Sequence, residues 1–183
     1  MCSYIKICTG ISLIWLLLVS IPSSGQSAAT AITKAQQDYG GAAQTADAAL
    51  RDLDKNKLMA LLNEYRSRGT FCGDEFFPAV SPLRWNDTLA LAAQAHSDDM
   101  FANDFYSHYG SDGSDPGERL HRAAYLWSSF GENIARSEWL TEERVVEGWI
   151  KSPGHCKNIM KATFSETGIG RASAYWTQKL AHP

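Results

Sequence analysis

His108, Glu132, His155 and Glu166 are side chains of the kind that can hold a borderline cation or activate a water molecule. Each stands at the edge of an expected element. His108 follows a helix, Glu132 lies in a Gly-Glu-Asn turn, His155 follows another helix and Glu166 opens a strand. Imidazole nitrogen and carboxylate oxygen are ligands for Zn²⁺, and an open fourth position would hold water. Spacing alone leaves this set undecided, because polar residues at loop edges also serve as solvated or backbone-capping groups. There is no G-x-S-x-G elbow, H-E-x-x-H helix, P-loop or C-x-x-C pair in the sequence, so the usual catalytic signatures are missing.

The densest chemistry is in Trp149–Met160, where a histidine and a cysteine are adjacent. Pro153 disfavours the α conformation at Ser152 and cannot continue a hydrogen-bond ladder, so the helix through Val145, Val146, Trp149 and Ile150 should end at Ser152. Gly154 then lets the chain turn, and His155 is expected to project from that turn. Cys156 has two readings, a disulfide partner of Cys72 or a nucleophile beside His155. Adjacent residues rarely aim their side chains at each other, and catalytic Cys/His pairs come from distant segments, which weighs against the nucleophile.

The compartment bears on the cysteines. Lys6 precedes an apolar run from Ile11 to Ile21, followed by Pro22-Ser-Ser-Gly-Gln26 with small residues suited to cleavage. This reads as a secretory signal peptide over residues 1–25, since the run falls short of the ~20 residues of a spanning helix. Its removal takes Cys2 and Cys8 with it. The protein is then secreted or periplasmic, without stable membrane insertion, and the remaining pair, Cys72 and Cys156, suits a disulfide. The net charge of −3 and the lack of any Lys/Arg run argue against nucleic-acid binding.

Residues 26–53, rich in Ala, Gln, Thr and Ser, read as a linker or weak surface helix. The folded domain is placed at 54–183. Leu58, Leu61, Leu62 and Tyr65 give a first helix stopped at Gly69, and the segment Phe71–Arg84, with Pro78 and Pro82, reads as irregular. Asn86 or Asp87 caps a second helix with an inward stripe of Leu89, Ala92, Ala93, His96 and Met100, where His96 reads as a satisfied core residue. Asp115, Pro116 and Glu118 form a capping box for a helix bearing Leu120, with His121 solvated. Phe130–Ala135 reads as a short irregular or extended piece, and Thr141 opens the helix that ends at Ser152. Two β-rich stretches, from Glu166 and from Ala174, joined by a turn near Ala172 to Ala174, complete an α+β domain with a small antiparallel sheet.

Taken together, Leu83–Asn86, Ala92–Met100, Phe105–Gly110, Gly131–Ala135, Trp149–Met160 and Tyr175–Gln178 resemble, in order, the CAP superfamily. This superfamily is also called the SCP domain and includes cysteine-rich secretory proteins, antigen 5 and pathogenesis-related protein 1; the resemblance is to its bacterial branch. It implies a three-layer α-β-α sandwich with a cavity lined by two histidines and acidic residues that in relatives can hold a divalent metal such as Zn²⁺. Carried over, His108 and His155 are the cavity histidines and Glu132 the glutamate of the Gly-Glu-Asn motif. The fourth position of many relatives falls on Ser152, so Glu166 is the substitute candidate. The resemblance also implies a Cys72–Cys156 disulfide. The leading expectation is a secreted binding module for a metal and a lipid, sterol or envelope-derived ligand. The alternatives are a metal-assisted hydrolase with Glu132 as general base and a protein-interaction factor with a vestigial cavity, so a binding module is favoured over an enzyme.

Overall fold

A computed structural model describes residues 53–183. The expected signal peptide and nearly all of the 26–53 segment lie outside the described residues; Leu53 is buried against the core. Helix α1 (Lys55–Arg68) starts where the Asp54 side chain accepts from the Lys57 N–H and stops at Gly69, whose φ of 73° is left-handed. Leu58 and Leu62 supply its buried stripe.

The stretch expected to be irregular contains a hairpin. Strands β1 (Thr70–Cys72) and β2 (Glu75–Phe77) pair antiparallel with Cys72 opposite Glu75, and Gly73 takes the positive-φ position of the tight turn. The prolines that suggested irregularity fall after the hairpin. Strand β3 (Arg84–Trp85) follows, then helix α2 (Asp87–Ala102), capped by Asn86, whose side chain accepts from the Leu89 N–H. The short helix α3 (Pro116–Arg122) has the full Asp115–Glu118 capping box.

Of the two readings of Phe130–Ala135 the extended one holds, and Gly131-Glu-Asn is not a turn. It lies within β4 (Ser129–Arg136), paired along its whole length with the last strand, β6 (Tyr175–His182). Glycine and asparagine are weak strand formers, and here cross-strand pairing overrides local preference. Helix α4 (Glu142–Lys151), capped by Thr141, ends before Ser152 as expected. The chain does not then turn freely: Pro153 opens a further helix, α5 (Pro153–Ile159), which carries His155 and Cys156. At the first helical position the missing proline N–H costs nothing and its fixed φ suits the helix, so one residue ends α4 and starts α5.

Strand β5 (Glu166–Ala172) completes a four-stranded sheet in the order β3-β5-β6-β4. The sheet is antiparallel except for the short parallel pair β3–β5. One face packs Leu58, Leu62, Val146, Trp149 and Ile159 of α1, α4 and α5 against Ile169 and Trp176, while the other packs Leu89, Ala92 and Leu120 of α2 and α3 against Ala181. This is the expected α-β-α sandwich. Helix α2 lies directly on β5: a Cβ on Gly168 would fall 2.1 Å from the Ala90 nitrogen, and one on Gly170 2.2 Å from that of Gln94. Gln94 also replaces the missing neighbour strand at Arg171, accepting from its N–H at 2.9 Å and donating to its carbonyl at 2.7 Å.

Candidate functional site

Glu132 lies near the middle of edge strand β4, with its side chain on the α2 face. Its carboxylate is almost wholly buried and is surrounded by nitrogen donors. Oε1 accepts from His108 Nδ1 at 2.8 Å, Oε2 accepts from Arg119 Nη2 at 2.9 Å, and Lys179, its register partner on β6, closes a tight ion pair. Burial pushes the carboxyl pKa up, but the His108 bond and the charges of Lys179 and Arg119 outweigh this and hold it down at about 2. Lys179 is itself buried, which lowers its pKa to about 8 against the pull of Glu132. Arg119 also donates to the carbonyls of Ser114 and His108, so α3 fixes the loop that presents the histidine.

Because the ionised carboxylate can only accept, His108 donates through Nδ1, and in the neutral ring its Nε2 keeps the lone pair. The ring is about half exposed. His96 is buried as expected, yet it is not a fully satisfied core residue. Its Nε2 donates to the Ser107 carbonyl at 2.9 Å, leaving Nδ1 without a partner, and Nε2 lies 3.9 Å from Glu132 Oε1.

His155 reaches the same strand edge from the other layer. The alternation of β4 sends Glu132 to one face and Asn133 to the other, where Asn133 Nδ2 donates to the His155 carbonyl at 3.2 Å and to Gln178 at 2.9 Å. Asn158 donates to the Asn133 side chain at 2.9 Å and to the Glu132 carbonyl at 3.3 Å, fastening α5 to β4. Arg66, fully buried, secures the far end of α5: its guanidinium donates to the carbonyls of Ser81, Ile159, Lys161 and Phe164. The Cys72–Cys156 disulfide, with Cα atoms 5.4 Å apart, ties the β1–β2 hairpin to α5. It excludes a free Cys156 thiol and with it the nucleophile reading. Burial and the proximity of His108 both lower the His155 pKa, which favours its neutral ring.

A cleft of about 320 Å³ runs along this edge, lined by Tyr106, Ile134, Leu140, Trp149, Ser152 and His155 among others. The edge is not left open to strand pairing, since Tyr106 and Trp149 both donate to the Ile134 carbonyl.

His108 and Glu132 are thus brought into direct contact, and His155 comes within electrostatic range of His108. Glu166 is not drawn into this group. Its carboxylate accepts from Asn86, Tyr125 and Arg84 beside β3, where it closes the start of α2. Among the described residues, no cluster of three or more His, Cys, Asp or Glu is arranged to hold a metal ion. Sequence reasoning missed Arg119, Lys179, Asn133 and Asn158. The one available signal was Lys179 between Gln178 and Leu180 in a β-rich stretch, since a charge buried in a sheet needs a partner.

Residues 59–180 match the family described as CAP, cysteine-rich secretory protein family. The chain is 32% identical over 103 residues to the uncharacterized protein YkwD of Bacillus subtilis, a match that spans 55% of this chain and 40% of that protein. Among solved structures it resembles an extracellular protein containing an SCP domain from Bacillus anthracis, with a TM-score of 0.59 and 29% identity, covering 70% of this chain and 40% of the other. It also shares the fold of an outer surface protein from Borrelia burgdorferi, with a TM-score of 0.57 and 19% identity, covering 69% and 92% of the two chains. No helix among the described residues is long and apolar enough to cross a membrane.

Proposed function

The chain belongs to the CAP, or cysteine-rich secretory protein, family, and on that premise we propose that it is an exported binding module. It takes a divalent cation such as Zn²⁺ on His108 and His155 and seats the apolar part of a lipid- or envelope-derived ligand in the adjoining cleft. The observation that carries this reading is the bond from His108 Nδ1 to Glu132, which leaves Nε2 of a half-exposed ring free to ligate. Metal-bound histidines generally donate their second nitrogen to a carboxylate, a backbone carbonyl or water, and Glu132 is such a carboxylate. A bound cation would supply a positive centre for an acceptor group of the ligand. A two-imidazole set is favoured over a four-residue one because Glu132 is already paired with Arg119 and Lys179, and Glu166 is committed elsewhere. Glu132 is therefore assigned a positioning role. With its pKa held at about 2 it is a weak base at neutral pH, which weighs against the hydrolase reading.

Calorimetric titration of Zn²⁺ into the metal-stripped protein near neutral pH tests this. Binding is expected in the parent, absent in His108→Ala/His155→Ala, and weaker by about 10–100-fold in Glu132→Gln. No binding in the parent, or equal binding in the double variant, refutes the cation site.

A further inference from the structure

We propose that a second site, at the Arg136 end of β4, binds a neutral carbohydrate. A cavity of about 580 Å³ opens there between the end of α2, the β5–β6 turn and the segment after β4, within the about 300–1,000 Å³ range of ligand clefts. Its lining combines two kinds of surface. Trp139 is 77% exposed and Phe101 56% exposed, so two large aromatic faces stand beside the cavity. The same lining holds a polar group: Arg136 Nη2 and the Tyr175 hydroxyl both donate to Asp104 Oδ1 at 2.9 Å, and the guanidinium stacks 4.6 Å from the Tyr175 ring centre. Glu138 and Ser137 complete the rim.

This lining discriminates among ligand classes. A hydrocarbon chain would cover Asp104, Arg136 and Glu138 without satisfying them. A phosphate or carboxylate would meet two carboxylates against one guanidinium. Asp104 and Arg136 already neutralise each other, so the remaining lone pairs and N–H groups suit hydroxyls, which both donate and accept. A pyranose ring supplies these at its rim and presents a C–H face to an exposed indole. β-1,4-linked glucose and N-acetylglucosamine, whose ring substituents are all equatorial, offer the flattest such face. This assignment does not depend on the proposed cation site, because neither His108 nor His155 lines the cavity.

The test is calorimetry and saturation-transfer NMR on the exported protein with cellopentaose and chitopentaose. Trp139→Ala, Phe101→Ala and His108→Ala/His155→Ala are measured alongside. The expected result is saturable binding of at least one oligosaccharide, weakened about tenfold or more by Trp139→Ala and by Phe101→Ala and unchanged in the histidine double variant. Trp139 is exposed, so its loss should leave the fold intact. Absence of binding to both sugars at millimolar concentration, or equal affinity in Trp139→Ala, overturns the proposal. So does binding to phosphatidylcholine vesicles that needs Trp139 while neither sugar binds, because Trp139 would then be a membrane-surface anchor.

Discussion

Around Glu132 the chain buries more ionisable groups than its own charge requires, and this has a consequence for acid stability. His96 is buried against Glu132, Arg119 and Lys179, and burial lowers its pKa to about 4, with the two cations adding to the effect and Glu132 opposing it. In the unfolded chain the value returns to about 6.5. Between those values the unfolded state binds a proton that the folded state does not, so stability is full above about pH 6.5 and falls as the pH drops toward 4, by roughly 3 kcal/mol in all. Glu132 adds its own loss only at lower pH, as protonation proceeds through its depressed pKa. Urea midpoints at pH 7.5 and pH 5.0 should therefore differ more in the parent than in His96→Gln, which retains a donor for Ser107. Equal pH dependence in the two proteins would show that the His96 ring is protonated without cost. The sequence marked His108, Glu132 and His155 because imidazole and carboxylate at element ends are distinctive types. It did not reveal Arg119 and Lys179 as their partners, because those contacts are made across the sheet and between layers, where no local pattern records them.

At the level of elements, what could be read was what local chemistry decides. Asn86, Asp115 and Thr141 each cap the helix expected of them, through side-chain bonds to N–H groups within the next turn. Strand β4 was legible only as an irregular or extended piece, and the β1–β2 hairpin and α5 were not legible. The first depends on pairing with β6, the second is anchored by the disulfide, and the third starts at a proline whose local signal is a stop. The glycines of β5 were likewise visible only as part of a strand, although their lack of side chains is what lets α2 approach. Gly170→Ala would drive a methyl group into the backbone at Gln94, which cannot yield without moving the helix. The expected cost is about 1–3 kcal/mol or more. It should appear as a lower thermal midpoint with weaker Zn²⁺ binding, because the loop after α2 carries His108. Gly154→Ala is the control, as its added methyl group meets open space. A midpoint as high in Gly170→Ala as in this control would mean that the helix–strand spacing is looser than the structure has it.

Across the whole molecule, His155 and His108 come from the two outer layers to the edge of β4, and the position of one relative to the other depends on what holds α5 against the sheet. Restraints converge on that helix: the Asn133–Asn158 bonds at β4, the Arg66 guanidinium at its C-terminal carbonyls, the exposed Lys157–Glu75 ion pair to β2, and the disulfide at Cys156. The disulfide differs in kind, because it acts largely on the unfolded chain. It joins residues 84 apart in sequence, and in the chain-entropy picture closing such a loop stabilises by at most about 4–5 kcal/mol. Burial of both cysteines means that alanine at these positions leaves little polar imbalance, so Cys72→Ala/Cys156→Ala isolates the covalent restraint. In this variant the urea midpoint should fall substantially. If Arg66 and the asparagines suffice to place α5, Zn²⁺ affinity under conditions where the protein remains folded should change by less than about tenfold. A fall in stability with affinity preserved would assign the disulfide to stability and the polar contacts to geometry. A loss of cation binding in the folded variant would show instead that the covalent link sets the spacing of the two imidazoles, making the site sensitive to the redox state of its surroundings.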